Sequence, residues 1–138
     1  MTWVVDASIT IKWVIPEPLS DAADRLRDGE HEFLAPDLLL VEGANALWRK
    51  TRAEEISARE ADAALDLVRQ SGIDLHPTGP LLRRATEVAR RLDHPVYDCV
   101  YLALAEREHA AVVTADDRLL RRVANRRLSI SVVDLRSV

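Results

Sequence analysis

Four acidic residues of this chain stand where a carboxylate is hardest to explain, beside or inside sequence that otherwise reads as buried core. They are Asp6, Glu42, Asp98 and Asp116. Asp6 and Asp116 each close an apolar run, whereas Glu42 and Asp98 are each the only charge in an apolar stretch of helical length. An ionised carboxylate is costly to remove from water, so it must be paired, be protonated or bind a cation. Together the four positions predict a metal site lined by carboxylates.

The types of donor favour Mg²⁺ or Mn²⁺ as the ion. Both ions prefer hard oxygen ligands, and no histidines or cysteines have the spacing of a zinc site. An open site of this kind can polarise a phosphoryl oxygen, activate a water molecule and stabilise the leaving oxygen, in the fullest version with two ions about 4 Å apart. Hydrolysis of a phosphodiester is therefore the reaction that the acids predict.

Three polar residues could support the acids. Ser8 lies two residues after the first acid and Thr114 two residues before the last, so their hydroxyls could orient ligands or waters. Asn45 lies three residues after Glu42, a spacing that places both side chains on one face of a helix. Asp117 could be a further ligand, but its place in a first helical turn favours a surface acid.

Segments of strand and helix character alternate along the chain. Strands are predicted at 3–5, 32–34, 73–75, 112–113 and 130–133. Helices are predicted at 20–27, 37–52, from Ser57 to before Gly72, at 81–91, from about Pro95, and at 116–125. The apolar face of the 37–52 helix is expected to include Leu38, Val41 and Ala44. Such alternation predicts a parallel sheet covered by helices on both faces, with sites outside the carboxyl ends of the strands, where Asp6 and Asp116 lie.

Composition indicates a single domain spanning residues 1–138. A chain of this length buries roughly two-thirds of the surface that it exposes when unfolded, and its 48% hydrophobic and 30% charged residues are ordinary for a globular protein. No apolar run approaches the roughly 20 residues needed to span a bilayer, and no signal peptide is recognisable at the amino terminus. We therefore expect a cytoplasmic protein without a membrane segment, in which the single cysteine, Cys99, serves packing.

Arginines are clustered although the formal net charge is −4. One group lies at 83–91 and a second at 118–127. Arginine suits bidentate contacts to phosphate, but arginines on the solvated faces of amphipathic helices give the same pattern, so the sequence leaves both interpretations open. The histidines lack the spacing of metal ligands and are assigned no role, and the three tryptophans are expected to anchor the core or an interface.

Four segments carry the acids in a recognisable order. They are Val4-Val5-Asp6-Ala7-Ser8, Glu42-Gly43-Ala44-Asn45, Tyr97-Asp98-Cys99-Val100-Tyr101-Leu102-Ala103 and Thr114-Ala115-Asp116. Together they resemble the motifs of PIN-domain ribonucleases, specifically VapC-type toxins, over essentially the whole chain. The resemblance implies a PIN-like three-layer α/β/α sandwich with a central, mostly parallel sheet.

The resemblance also implies an activity, a cofactor and partners. Asp6, Asp98 and Asp116 would hold the principal Mg²⁺ or Mn²⁺ ion. Glu42 would help to hold that ion or a second one, and the three polar residues named above would support the site. Members of the family commonly form homodimers, cut structured RNA and are held inactive by a VapB-type antitoxin. The family's last acidic position varies, so the choice between Asp116 and Asp117 stays open for any secondary ligand.

Other functions fit the same residues less well or require further evidence. A housekeeping PIN nuclease that processes RNA would use the same chemistry, and a catalytically silent PIN module would only bind RNA or protein. A phosphoacceptor receiver would need paired acids after the first strand and a lysine near the last, yet the only lysines are Lys12 and Lys50. A phosphatase of the haloacid dehalogenase type would need a second aspartate where Ser8 stands.

Overall fold

One parallel sheet organises the fold in the computed structural model, which describes residues 1–138. Its strands are β1 (Thr2–Val5), β2 (Glu32–Pro36), β3 (Asp74–His76), β4 (Ala111–Thr114) and β5 (Val132–Asp134). Their spatial order is β3-β2-β1-β4-β5, and every neighbouring pair is parallel. The predicted sheet is confirmed, and it is entirely parallel where the sequence predicted a mostly parallel one.

Seven helices connect these strands. They are α1 (Ala7–Val14), α2 (Ser20–Asp28), α3 (Leu38–Arg52), α4 (Ala58–Arg69), α5 (Leu82–Leu92), α6 (Val96–Glu108) and α7 (Asp117–Val123). The capping box predicted for α4 is present, because the Glu60 backbone N–H donates to Ser57 Oγ and the Ser57 N–H donates to Glu60 Oε1. None of the helices combines the length and apolarity that a bilayer crossing requires.

The alternation of side chains along the strands divides the core into two layers. Successive strand residues point to opposite faces of a sheet. Val4 and Val112 accordingly pack in a cluster with α5 and α6, whereas Trp3, Val5 and Val113 pack in a second cluster with α1 and α2. Helices therefore cover both faces, which confirms the three-layer α/β/α arrangement.

Helix α1 was not predicted from the sequence. The β-branched residues Ile9, Thr10 and Ile11 disfavour a helix intrinsically, because branching at Cβ restricts χ1 against the preceding turn. All three are buried in the structure, as is Trp13 in the next turn. Burial against the sheet and against α3 and α4 thus outweighs the weak local preference.

The buried face of α3 differs from the predicted one. Leu39, Gly43 and Leu47 face the core, whereas Val41 and Trp48 are 67% and 54% exposed. The expectation that Val41 belongs to the buried apolar face is wrong. Of the two roles expected for Trp48, a core position is excluded and an interface anchor stays a prediction. Glu42 flanks this buried face and is itself half-buried.

Candidate active site

One cleft of about 890 Å³ is lined by all four predicted acids. It lies at the edge where the parallel strands end, because β1 stops directly before Asp6 and β4 stops two residues before Asp116. Glu42 reaches the cleft from α3, and Asp98 reaches it from the first turn of α6. The structure therefore brings together four residues that are spread over 110 positions of the sequence.

Asp6 is the most desolvated of the four acids. Its side chain accepts hydrogen bonds at both oxygens, from Ser8 Oγ at Oδ1 and from Thr114 Oγ1 at Oδ2, each at 2.5 Å. Burial raises the pKa of Asp6 to about 6, since the two hydroxyls only partly offset the desolvation and the charges of Asp98 and Asp116 add to it. Two hydroxyl groups thus fix the Asp6 carboxylate in a buried environment that disfavours its negative charge.

Asp98 is held by a histidine that the sequence did not single out. Its Oδ2 lies 2.5 Å from His94 Nε2, and the His94 side chain is only 4% exposed. His94 precedes α6, so the contact links the entry of the helix to its first turn. The i, i+4 spacing of the two residues was the available signal, but the intervening Pro95 breaks the helical pattern in which such pairs are usually sought.

Glu42 is held by a buried phenol. The hydroxyl of Tyr101 donates to Glu42 Oε1 at 2.6 Å. Burial raises the pKa of Glu42 above its ordinary value despite this bond, and the charges of Asp98 and Asp116 add to the effect. The pKa of Tyr101 is raised well above its ordinary value by its own burial and by the carboxylate beside it, so the phenol stays a donor. Asn45, on the same side of α3, also lines the cleft.

Asp116 serves the fold as well as the cleft. Its Oδ1 accepts from the backbone N–H groups of Arg118 and Leu119, at 2.9 and 3.4 Å, and so caps α7. Asp117 is exposed, lies 3.4 Å from a guanidinium nitrogen of Arg136 and does not line the cleft. Of the two neighbouring acids, Asp116 is therefore the one that faces the other three.

The far end of the cleft carries an ion-pair cluster that the sequence did not reveal. Glu17 lies 2.9 Å from Lys12 Nζ and 2.6 Å from Lys50 Nζ. Burial alone would raise the pKa of Glu17, but the two ammonium groups lower it below its ordinary value. The three residues come from α1, the loop after it and α3, and no sequence spacing relates them. The cluster ties together the two helices that form this end of the cleft.

The donor chemistry of the acids fits a hard divalent cation. No three carboxylate, imidazole or thiol groups stand close enough to surround one ion in the present side-chain positions. Each carboxylate oxygen has two lone pairs, however, so the hydroxyls on Asp6 leave acceptor capacity for a cation. Burial is the main cause of the raised pKa of Asp6, and a bound cation would offset both that burial and the added repulsion of Asp98 and Asp116. Oxygen donors of this kind suit Mg²⁺ or Mn²⁺ better than zinc.

Comparison with known proteins places the chain in a family. A family model of the PIN domain matches residues 3–126. The chain is 31% identical to Ribonuclease VapC3 of Pyrobaculum aerophilum over 86% of this chain and 92% of that protein. It is 32% identical to Ribonuclease VapC9 of Mycobacterium tuberculosis over 84% of this chain and 87% of that protein.

Solved structures share the fold at lower identity. A Pyrobaculum aerophilum protein superposes with a TM-score of 0.73 at 24% identity, covering 99% of this chain and 91% of that one. Mycobacterium tuberculosis VapC20 superposes with a TM-score of 0.70 at 18% identity, covering 94% of this chain and 98% of that one. With a matching family model, relatives named VapC ribonucleases and the same sheet, this chain belongs to the PIN-domain family.

Proposed function

We propose that the chain is a metal-dependent endoribonuclease that acts in the cytoplasm as the toxin of a VapBC-type toxin-antitoxin pair. The observation that carries the proposal is the convergence of Asp6, Glu42, Asp98 and Asp116 on one cleft at the carboxyl edge of the sheet. Asp6, Glu42 and Asp98 each contact a side-chain donor there, which supports the proposal of a common site. The names of the relatives, all VapC ribonucleases, support RNA as the substrate.

The acids would divide the work of holding the ion. Asp6, Asp98 and Asp116 would hold a principal Mg²⁺ or Mn²⁺ ion, and Glu42 would help to hold that ion or a second one. When bound, such an ion polarises the phosphodiester and activates water for attack on phosphorus. By resemblance to the PIN-domain ribonucleases, the bond from phosphorus to the 3′-oxygen would break and that oxygen would take up a proton, which leaves a 5′-phosphate and a 3′-hydroxyl.

The residues behind the acids would keep them in place for this chemistry. Ser8 and Thr114 fix both oxygens of Asp6, and Asn45 would add a polar group on the cleft wall. Tyr101 donates to Glu42, and His94 contacts Asp98. Partners that orient ligands in this way commonly matter almost as much as the ligands, because they set the direction and the basicity of each donor.

An antitoxin and a second copy of the chain are the proposed protein partners. Mycobacterium tuberculosis VapC20 is described as a toxin that cleaves the sarcin-ricin loop, and VapBC2 of Rickettsia felis has been solved bound to a DNA fragment from its own promoter. These proteins have the fold of this chain at 18% and 13% identity. By analogy with the VapBC complex, a VapB-type antitoxin would bind this chain, and we propose that it silences the chain. The homodimer is proposed from the resemblance of the acidic motifs to those of VapC toxins alone.

Cleavage of RNA by the purified protein tests the activity. Total RNA is incubated with Mg²⁺, Mn²⁺ or EDTA and with wild type, Asp6→Asn, Asp98→Asn or the control Asp62→Asn, which alters an exposed acid on α4. We expect metal-dependent cuts by wild type and Asp62→Asn and none by the two cleft variants. The same background cleavage in all four samples would contradict the proposal and favour a module that only binds RNA or protein. Cleavage that EDTA does not affect would contradict the dependence on a metal ion.

The biological role needs a separate experiment, since a housekeeping nuclease would cut RNA by the same chemistry. The chain is expressed under an inducible promoter with and without a VapB-type protein encoded beside it. A toxin should arrest growth, and the arrest should disappear with Asp6→Asn or with co-expression of the antitoxin. Normal growth during expression of an enzyme that is active in vitro would indicate RNA processing instead.

A further inference from the structure

A second cavity, of about 430 Å³, is lined only by polar residues and one proline and lies beside α7. Its walls are His94, Pro95, Arg118, Arg121, Arg122, Asn125 and Arg126. No carboxylate and no apolar side chain other than the proline lines it. We refer to this cavity as the arginine pocket. Such a lining offers donors and positive charge in one place, while the chain as a whole carries a net charge of −4.

The four guanidinium groups of the arginine pocket have no anionic partner within the chain. Arg118, Arg121, Arg122 and Arg126 take part in none of the ion pairs of the structure, although other arginines do. Arg84 illustrates the contrast, because two carboxylates, those of Glu106 and Glu87, accept its hydrogen bonds. In the group at 83–91 only Arg84 is paired, so the lack of ion pairs is not what separates the two groups. The second group differs because four of its guanidinium groups line one cavity.

Helical spacing explains why these arginines share a cavity. Arg118 and Arg122 are four residues apart within α7, so their side chains emerge on one side of the helix. Arg121 is adjacent to that side, and Arg126 follows just after the helix ends. Arginine presents a planar fork of donors that matches the oxygens of a phosphate. Four such forks around one opening repel one another unless an anion lies between them.

His94 places the arginine pocket next to the acid cleft. The residue lines the pocket, and its Nε2 contacts Asp98, which lines the cleft. Asp116 also joins the two regions, because it lines the cleft and caps the helix that carries the arginines. The contact between His94 and Asp98 therefore joins a site suited to a scissile phosphodiester to a site suited to another phosphate.

We infer that the arginine pocket binds a backbone phosphate of the RNA next to the one that is cut. This inference rests on the proposed nuclease function, because it assigns the pocket to the same substrate. The pocket reads phosphate rather than base, since guanidinium groups and an amide line it without any aromatic side chain other than the imidazole of His94. Binding there would hold the RNA against an acidic cleft that by itself repels it.

The test compares two double variants of equal charge. Arg121→Gln with Arg122→Gln removes two walls of the pocket, and Arg83→Gln with Arg127→Gln removes two exposed arginines outside it. Each pair is combined with Asp6→Asn to keep the RNA intact. Binding of a fluorescent single-stranded RNA of about 12 nucleotides, a length within the range of known single-strand sites, is then measured against KCl concentration.

We expect the pocket variant to bind RNA about 10- to 100-fold more weakly than the control pair, as removal of charge-assisted hydrogen bonds implies. The slope of log Kd against log salt should fall by about 0.7 for each phosphate that the variant no longer neutralises. A series of RNAs is then made in which one phosphate at a time is replaced by a neutral methylphosphonate. At one position of the RNA, this replacement should weaken binding to the protein with an intact pocket and leave binding to the pocket variant unchanged. Equal affinity and slope for the two variants would overturn the inference.

Further outcomes distinguish the inference about the pocket from the proposed nuclease activity and test whether the pocket binds a ligand other than RNA. In the background with Asp6 intact, the pocket variant should raise the KM for RNA cleavage and leave kcat near that of the control pair. RNA binding that depends on the pocket in a protein that never cuts RNA would support the pocket and contradict the nuclease. If the pocket variant binds RNA as well as the control pair but no longer binds polyglutamate, the pocket is a site for an acidic polypeptide and the inference is overturned.

Discussion

The imidazole of His94 meets the carboxylate of Asp98 at 2.5 Å, at the entry of helix α6. The pair lies between two cavities of opposite character, because Asp98 faces the acid cleft and His94 also lines the arginine pocket. The backbone of Pro95 turns the chain into α6 between them. A residue without metal-ligand spacing thus becomes the orienting partner of a proposed ligand.

Replacement of His94 tests this role. His94→Leu removes the donor to Asp98, whereas His94→Gln keeps an N–H group near the position of Nε2. We expect His94→Leu to weaken Mg²⁺ affinity about 10- to 100-fold, as is typical when a group that orients a ligand is removed, and His94→Gln to recover most of it. Isothermal titration with Mg²⁺ measures both. Equal losses of affinity in the two variants would indicate that His94 acts through packing alone.

Replacement of Tyr101 tests the support of Glu42. Tyr101→Phe removes the hydroxyl that donates at 2.6 Å and leaves a half-buried carboxylate without that donor. The free energy of unfolding should fall by about 1.5 to 3 kcal/mol, the range for a hydrogen bond to a charged group. The pKa of Glu42 should rise further, which carboxyl-carbon NMR can follow. Tyr97→Phe is the control, because Tyr97 is 64% exposed, and it should change stability by less than about 0.5 kcal/mol.

The raised pKa of Asp6 predicts a pH dependence of stability in EDTA. The folded pKa of about 6 exceeds the ordinary value of 3.8, so between these pH values the folded chain retains a proton that the unfolded chain has released. The contribution of Asp6 to stability is therefore fully present below about pH 4 and is lost as the pH rises through 6. As the pH rises from 4 to 8, the free energy of unfolding of Asp6→Asn should increase by about 2 to 3 kcal/mol relative to that of wild type. Urea unfolding measures it, with Asp62→Asn as control. A gap between wild type and Asp6→Asn that stays constant with pH would contradict this assignment.

Addition of a divalent cation should restore the stability that the folded protein loses at high pH when Asp6 ionises. A cation bound only by the folded state stabilises it by about 2.7 kcal/mol at 100 times its Kd. We therefore expect the Tm of wild type at pH 8 to rise with Mg²⁺ or Mn²⁺ concentration, while Asp6→Asn and Asp98→Asn respond no more than a protein without an ion site would. Differential scanning fluorimetry provides the readout without any RNA. An equal rise in wild type and both variants would place the ion elsewhere.

Much of the cleft followed from the sequence because its acids interrupt apolar runs. A carboxylate just after the end of a buried parallel strand lies at the carboxyl edge of the sheet, and this argument predicted the positions of Asp6 and Asp116. Ser8 and Thr114 were also found by their spacing, and both contact Asp6 in the structure. The predicted roles of these residues in metal binding and catalysis stay predictions.

The features that escaped prediction are the ones that depend on packing between distant elements. Helix α1 is stabilised by burial rather than by the local preference of its β-branched residues, and the face that α3 buries is chosen by its neighbours. The ion pairs of Glu17 join elements that no local pattern relates. Sequence spacing likewise could not decide which arginines lack partners, because Arg84 is neutralised by Glu106 across two helices.

The two hydroxyls that donate to Asp6 come from Ser8 and Thr114, which are 106 residues apart. Thr114 reaches Asp6 only when β4 has paired with β1 at the centre of the sheet. A chain still being synthesised therefore carries its first acid long before it carries a site, because Thr114 emerges 108 residues after Asp6. Contacts of such long sequence separation also form slowly. The four acids therefore cannot line one cleft before β4 has been made, because a translation product interrupted before β4 lacks both Thr114 and Asp116.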